Sequence, residues 1–519
     1  MILLADLDGK QRGERFALLQ EGIKAVWAEM RHDHDDESVV VLPSLAIDPV
    51  SLPSAGLVQA YEERFLFLLL LLRQPRLRMV YVTSTRIEPR IVEYYLALLP
   101  GVIPSHARER LTLISVDDSS LRPLAEKILE RPRILALIAS KVPNRGRCHL
   151  IAYAATDKER DIALTLGVPM YGCDPRLSDL GSKTGCRRIF DEEGVAHPAG
   201  AEDLHSPEDV VVAISALLAE HPAMAEVIVK LNDGVAGNGN ASIDVRHLGG
   251  SGVRSAVGRA DVGERVAALQ LESPWLSRRE YWARFEQLGG VVEERITGVE
   301  LRSPSVQMRV LPDGDVELLS THDQLLGGPR GQAYLGCTFP ADGAYSRLIS
   351  EPAMVVGRRL AHEGVLGRFA VDFVVVRDAD GAWAAYAIEI NLRKGGTTHP
   401  FLTLQFLTDG RYDGASGQFL TATGHQKHLV ASDHLEAEEL RSLRIGDLFD
   451  VVAMHGLHFD HARQTGVVFH MISCLSERGR VGVTAIGDDP LQAMSLYGRA
   501  EEALIREATA AGRSVALPA

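Results

Sequence analysis

Residues 367–391, "GRFAVDFVVVRDADGAWAAYAIEIN", constrain the fold more than any other stretch of the chain. Two long runs rich in β-branched and aromatic residues flank "RDADG", and Asp380-Gly381 is a strong hairpin-turn signal. Such a segment forms two antiparallel strands and needs a sheet to lie in. Along a strand, side chains at i and i+2 share a face about 6.6 Å apart. Glu389 and Asn391 therefore project together, and closing the hairpin brings Asp372 near Glu389. Two carboxylates and an amide oxygen are hard donors of the kind Mg²⁺ takes, with substrate phosphates completing its shell. A polar hairpin face turned to solvent is the plain alternative for these three residues alone.

The rest of the chain alternates in texture. Its 519 residues exceed one core and suggest about three domains. Over 1–175, strand-like runs at 39–45, 79–85, 111–116 and 149–156 alternate with helical runs at 60–74, 90–99, 123–131 and 159–172. That alternation predicts an open α/β sheet. No GxGxxG follows its first strand, so nothing marks a dinucleotide site. The run "FLFLLLLL" (65–72) would span about 12 Å as a helix, against a hydrocarbon core of about 30 Å. It is expected to be a buried core helix. Beyond 173, "LGSKTGCRRIFDEEGVAHP" predicts a helix with Ser182 as N-cap and Gly194 just past its end. A second helix is expected over 207–222 and a strand over 225–232. The span 291–320 reads as strand, turn, strand and hairpin. From about 426, strand-like runs at 466–473 and 479–487 and a helix at 490–512 predict a small α+β unit.

Composition narrows the partners. Asp plus Glu number 69 against 55 Lys plus Arg, a net charge of −14. A broad nucleic-acid footprint needs a basic surface and is not expected, whereas a local basic pocket for an anion is compatible. The five cysteines (148, 173, 186, 337, 474) form no CxxC pair and read as reduced thiols of a cytoplasmic protein. The start, "MILLADLDGK", has neither a basic n-region nor a cleavage site, so no signal peptide and no membrane association are expected.

Two further segments bear on chemistry. In "VKLNDGVAGNGNAS", Lys230 ends an apolar strand and a loop with Gly234, Gly237, Asn238 and Gly239 follows. Glycines let backbone N–H groups approach phosphate oxygens, and a lysine beside them adds a compact cation. The loop is not a GxxxxGK[ST] motif, and most glycine-rich hairpins are only turns. "EERITGVE" (293–300) offers strand backbone for a base edge and an acceptor, Glu300, for ribose hydroxyls.

Taken in order, Lys183, Lys230, the glycine loop, EERITGVE, Asp372 and Glu389-x-Asn391 resemble the ATP-grasp superfamily of carboxylate–amine ligases over roughly 173–420. "E-x-x-I-x-G-x-E" and "E-x-N" match the spacing of D-alanine–D-alanine ligases. "KLNDGVAGNGNA", "AIEINLRKGGTTHPF" and "GLHFDHARQTGVVFHMI" look like the pheganomycin-type peptide ligases over nearly the whole chain. That resemblance implies α/β and α+β architecture. A pre-ATP-grasp open α/β domain would occupy 1–172, an ATP-grasp core 173–425 and a small C-terminal α+β domain 426–519, the last helping to receive a peptide nucleophile.

It also implies site residues. Lys183 and Lys230 would contact ATP phosphates, with Gly237, Asn238 and Gly239 beside them. Glu293, Arg295 and Ile296 would line the adenine edge, and Glu300 would bind ribose. Asp372, Glu389 and Asn391 would hold two Mg²⁺. Arg368, Arg393 and Lys394 would supply cations to an acyl phosphate or a substrate carboxylate. D-alanine–D-alanine ligases carry an arginine two residues before the metal aspartate; here that place is Ala370, which leaves the oxyanion-stabilising cation open. The implied activity is ATP-dependent amide-bond formation between an amino-acid-type carboxylate and the amine of an amino acid or peptide, through an acyl phosphate with release of ADP and phosphate, in specialised peptide biosynthesis. The alternatives are an ATP-grasp acid kinase or thioester-forming ligase, or a nucleotide-binding protein without turnover. Small molecules are the expected partners, with a homodimer as the assembly if the chain associates. The C-terminal His458, Asp460, His461, Arg463 and His470 are expected to be structural or substrate-contacting rather than zinc-binding.

Overall fold

A computed structural model describes residues 4–30, 37–45, 54–234, 237, 239–249, 253, 255–328 and 331–515. Four apolar runs form a parallel sheet in the order Leu111–Ser115, Arg78–Thr83, Ser38–Leu42, Cys148–Ala152. Ser38–Leu42 is buried at every residue, as parallel strands covered on both faces are. Its alternate side chains enter two different cores, Val39 and Val41 one and Val40 and Leu42 the other. Helices such as Pro89–Ala97 and Pro132–Ser140 supply the crossovers. The N-terminal open α/β sheet expected from the alternation is therefore present.

The leucine run is buried as expected, since Phe65 to Leu70 and Leu72 are all shielded from solvent. It winds as a 3-10 helix, Arg64–Arg73, following the α-helix Ala55–Glu63. A run apolar on every side carries no 3.6-residue stripe, so its sequence does not separate the two helix types. Phe67 stacks on Phe406 with ring centroids 6.3 Å apart, tying this segment to the helix Thr398–Thr408. Among the described residues no helix is long and apolar enough to cross a membrane.

Two larger antiparallel sheets follow, besides the two-stranded pair Arg411–Asp413 and Gln418–Leu420. The smaller has five strands in the order Gly200–Leu204, Gly290–Glu294, Glu226–Leu231, Asn240–Asp244, Gln270–Leu271. The larger has nine, built around the hairpin Gly367–Arg377 and Trp383–Asn391 with Pro304–Val310, Val316–Gly327 and Ala333–Phe339. The hairpin closes as predicted. Asp378 N–H donates to Ala382 O at 2.9 Å, and Gly381 takes φ +89°. The C-terminal strands His428–Glu436, Arg480–Gly487 and Gly466–His470 extend this larger sheet through Ala333–Phe339. The long helix Pro490–Val515 packs across them.

Candidate active site

One short helix, Lys183–Glu192, fixes the geometry between the two antiparallel sheets. Ser182 Oγ accepts the Gly185 N–H at 2.9 Å and caps its N-terminus, while Gly194 follows its end at φ +66°. Both ends match the sequence reading. The entry is tight: a Cβ on Gly185 would lie 1.9 Å from the Asp179 carbonyl oxygen. The first turn grips both sheets. The Lys183 and Thr184 N–H groups donate to Asn232, just past Glu226–Leu231 of the smaller sheet, at 3.2 and 3.0 Å. Cys186 Sγ accepts the Ile390 N–H of the larger one at 3.1 Å.

The side chains repeat that bridging with charge. Lys183 Nζ lies 2.5 Å from Glu389 Oε1 on the larger sheet. Arg187, one helical turn on and so on the same face, reaches Glu293 Oε1 on the smaller sheet at 3.2 Å. Glu293 also takes Lys230 Nζ at 2.5 Å. Asp372 stands opposite Glu389 in the hairpin register, and Asn391 Nδ2 donates to Asp372 Oδ2 at 3.0 Å. The hairpin thus brings together Asp372, Glu389 and Asn391, and the helix adds Lys183.

Burial sets the protonation of this group. Burial raises the Asp372 carboxyl to about 6, and the neighbouring Glu389 charge pushes the same way. Burial would raise Glu389 too, but the Lys183 ammonium overrides it and holds Glu389 below the usual carboxylate range. Glu293 is likewise held low against burial by Lys230 and Arg187. Two carboxylates beside an amide oxygen, with one carboxylate kept ionised, are a donor set that suits Mg²⁺.

The other predicted residues are spread along the same seam. Gly237 and Gly239 lie in the loop after Glu226–Leu231, whereas Asn238 falls outside the described residues. Gly237 has φ +82°, and a Cβ there would lie 2.7 Å from Gln332 O, so the loop approaches the larger sheet closely. Arg295 pairs with Glu226 at 3.0 Å, and Ile296 is half-buried. Glu300 is held by Arg302 at 2.6 Å and Arg377 at 2.5 Å, on a strand paired to the far end of Gly367–Arg377.

The three predicted cations diverge. Arg393 stacks over the Tyr153 ring at 5.9 Å, and the charges of both Glu389 and Asp372 bear on it. Lys394 turns into the N-terminal sheet and donates to Ala152 O at 2.5 Å, and burial, with Arg368 nearby, pushes its ammonium down to about 7. Arg368 stands opposite Arg309 on the neighbouring strand, with its charge disfavoured by burial. The Gly395 N–H donates to Thr398 Oγ1 at 2.9 Å.

Two features of the site escaped the sequence reading. Arg187 had a signal available, its four-residue spacing from Lys183. The C-terminal histidines divide: His458 and His461 are exposed, while His470 is buried 3.0 Å from His399 and 2.7 Å from Asp433. No local pattern links those three positions.

Comparison with known proteins gives this geometry a family. The model of the IQCH-like ATP-grasp family matches residues 175–259 and 260–414, and that of the PGM1 C-terminal domain matches 447–500. An L-propargylglycine–L-glutamate ligase of Streptantibioticus cattleyicolor is 31% identical over 455 residues, covering 85% of this chain and 89% of that protein. IQ motif-containing protein H of Danio rerio is 26% identical over 362 residues, and the match spans 62% of this chain but only 34% of that protein. In fold, an N5-carboxyaminoimidazole ribonucleotide synthetase solved with ADP aligns at a TM-score of 0.50 and 12% identity, over 91% of this chain and 97% of that one. Matched family and shared length together place the chain among the ATP-grasp carboxylate–amine ligases, to which it belongs.

Proposed function

We propose that the protein transfers the γ-phosphoryl group of ATP to an amino-acid-type carboxylate and joins the activated acyl group to the amine of an amino acid or peptide. The observation that carries this reading is the convergence of Lys183, Asp372, Glu389 and Asn391 where the two antiparallel sheets meet. The relative that joins L-propargylglycine to L-glutamate supports an amino acid on each side of the new bond.

The chemistry explains the residue types. A free carboxylate is a poor acyl donor, and amide synthesis in water is uphill. Phosphorylation makes the carboxylate an acyl phosphate, which an amine attacks to form a tetrahedral intermediate that expels phosphate. Mg²⁺ held by Asp372, Glu389 and Asn391 would neutralise charge on the phosphates. Lys183 and Lys230 would exchange their carboxylate partners for phosphate oxygens, with Gly237, Asn238 and Gly239 offering backbone N–H groups. Glu293, Arg295 and Ile296 would border the adenine edge and Glu300 the ribose. Arg393 is the strongest candidate for the acyl phosphate and its oxyanion, because it faces both metal-binding carboxylates while Lys394 is engaged by Ala152 O. In this reading 1–172, 173–425 and 426–519 act as pre-ATP-grasp, catalytic and acceptor-handling units. Five cysteines that are all thiols support a reducing, cytoplasmic setting.

The test is to incubate protein with ATP, Mg²⁺, pooled amino acids and short peptides, then identify nucleotides and product masses. ADP and phosphate released only with both acid and amine, with a product lighter than its parts by one water, are expected. AMP and pyrophosphate would overturn the acyl phosphate. ADP formed without need of an amine would favour an acid kinase.

A further inference from the structure

Three buried side chains of metal-ligand type converge on one point away from the proposed magnesium donors. His399 lies in the first turn of helix Thr398–Thr408, Asp433 lies on strand His428–Glu436, and His470 ends strand Gly466–His470. Their relative exposures are 5%, 3% and 3%. His470 Nε2 is 2.7 Å from Asp433 Oδ1 and 3.0 Å from His399 Nε2. His399 Nε2 is in turn 3.4 Å from the same carboxylate oxygen. Among the described residues no other group of three His, Cys, Asp or Glu converges in this way.

Hydrogen bonds alone do not satisfy this triangle. An imidazole nitrogen either carries its one proton or accepts one. If His470 Nε2–H donates to Asp433, His399 Nε2 faces a nitrogen whose proton is already used. If His399 Nε2–H donates to His470, the His470 lone pair meets a carboxylate oxygen at 2.7 Å. If both donate to Oδ1, two N–H groups crowd together at 3.0 Å. Moving the His399 proton to Nδ1 does not relieve the triangle, because that buried nitrogen has no hydrogen-bond partner. Each arrangement leaves a buried polar group poorly paired, at a cost of about 1–3 kcal/mol.

A divalent cation at the centre lets all three groups present lone pairs. Two imidazoles and a carboxylate are zinc ligands, and a tetrahedral ion about 2.0–2.1 Å from each donor holds the donors about 3.3 Å apart. The three separations, 2.7, 3.0 and 3.4 Å, bracket that value. The surroundings are those of a ligating carboxylate. Arg64 Nη1 donates to Asp433 Oδ2 at 2.5 Å and leaves Oδ1 turned to the imidazoles, while Arg480 Nε donates to the Asp433 main-chain oxygen at 2.7 Å.

We propose that His399, Asp433 and His470 bind one zinc(II) ion, leaving a fourth position for water. The ion would clip the helix that follows the "RKGGTT" turn to the two C-terminal strands. It would also brace Arg393 indirectly, since Arg64 and Arg393 lie over the same Tyr153 ring at 6.0 and 5.9 Å.

The first test is elemental analysis of full-length protein produced in zinc-supplemented medium. Wild type is expected to carry about one zinc per chain, and His399→Ala and His470→Ala below about a tenth of that. Glu389→Gln, at the other site, is expected to keep its zinc. Because the histidine variants alter a core, a second test uses wild type alone. Protein stripped by chelator and reloaded with cobalt(II) is expected to show the visible absorption of four-coordinate cobalt, abolished by stoichiometric zinc and unaffected by Mg²⁺ with ATP. Wild type without zinc and without a cobalt spectrum overturns the proposal. So does iron in place of zinc, or zinc kept by both histidine variants.

Discussion

Lys183–Glu389 and Arg64–Asp433 are ion pairs with the same 2.5 Å separation and opposite surroundings. The side chains of the first pair are 9% and 22% exposed and lie on a seam between two sheets; those of the second are 5% and 3% exposed and lie in the core. The difference separates two uses of buried charge. At a seam, under the proposed function, an arriving phosphate would take the lysine and a metal ion the carboxylate, so the pair would hold the site ready and then exchange partners. In the core no phosphate displaces the guanidinium, and the pair is a fixture whose loss strands a charge.

Breaking the fixture should have the largest effect. Arg64→Met leaves Asp433 buried without its guanidinium partner and should lower stability by about 3–5 kcal/mol, read as a lower denaturant midpoint. Breaking the exchangeable pair should cost turnover rather than fold. Glu389→Ala should lose at least about 100-fold in amine-dependent ADP release, roughly 2.7 kcal/mol of barrier, with a near-native unfolding midpoint. Wild-type-like turnover would remove Glu389 from the proposed metal site. A milder change at the seam sharpens the contrast. Gly185→Ala meets the Asp179 carbonyl, shifts the first turn carrying Lys183, and should destabilise by about 1–3 kcal/mol while also slowing turnover.

A pH slope from the sealed side tests the same contrast. Burial raises the Glu62 and Glu63 carboxyls to about 7. Glu62 faces Ser84, Lys127 and Glu63, and Glu63 faces Gln59 and the Ser473 N–H. A folded-state value above the unfolded one means the native state binds more protons. Their contribution is therefore full below the unfolded value near 4.5 and fades as pH rises through 7. Glu62→Gln and Glu63→Gln together should flatten the fall in stability between pH 5 and 8, measured by urea unfolding across that range.

Local signals were legible in the sequence and distant partnerships were not. The hairpin, with Asp372 set against Glu389, follows from strand alternation and an Asp-Gly turn. The helix ends at Ser182 and Gly194 follow from capping chemistry. The N-terminal parallel sheet follows from strand–helix alternation. By contrast, His399 and His470 are 71 positions apart and His470 and Asp433 37 apart, and nothing near any of them names the others. The turn at 393–396 reads as a cluster of cations, yet only packing against the N-terminal sheet draws Lys394 away to Ala152 and leaves Arg393 facing the carboxylates. Periodicity was also silent on the 3-10 winding of Arg64–Arg73, because its apolar surface has no preferred side.

Activation of the carboxylate at the Lys183–Glu389 seam is the central claim, and oxygen transfer tests it most directly. A donor acid labelled with ¹⁸O in its carboxylate is ligated in the presence of ATP, and the released phosphate is examined by mass. Phosphoryl transfer to the carboxylate leaves one labelled oxygen in inorganic phosphate, alongside ADP and an amide that keeps the other. Label in AMP, or phosphate free of label while amide forms, would contradict an acyl-phosphate ligase.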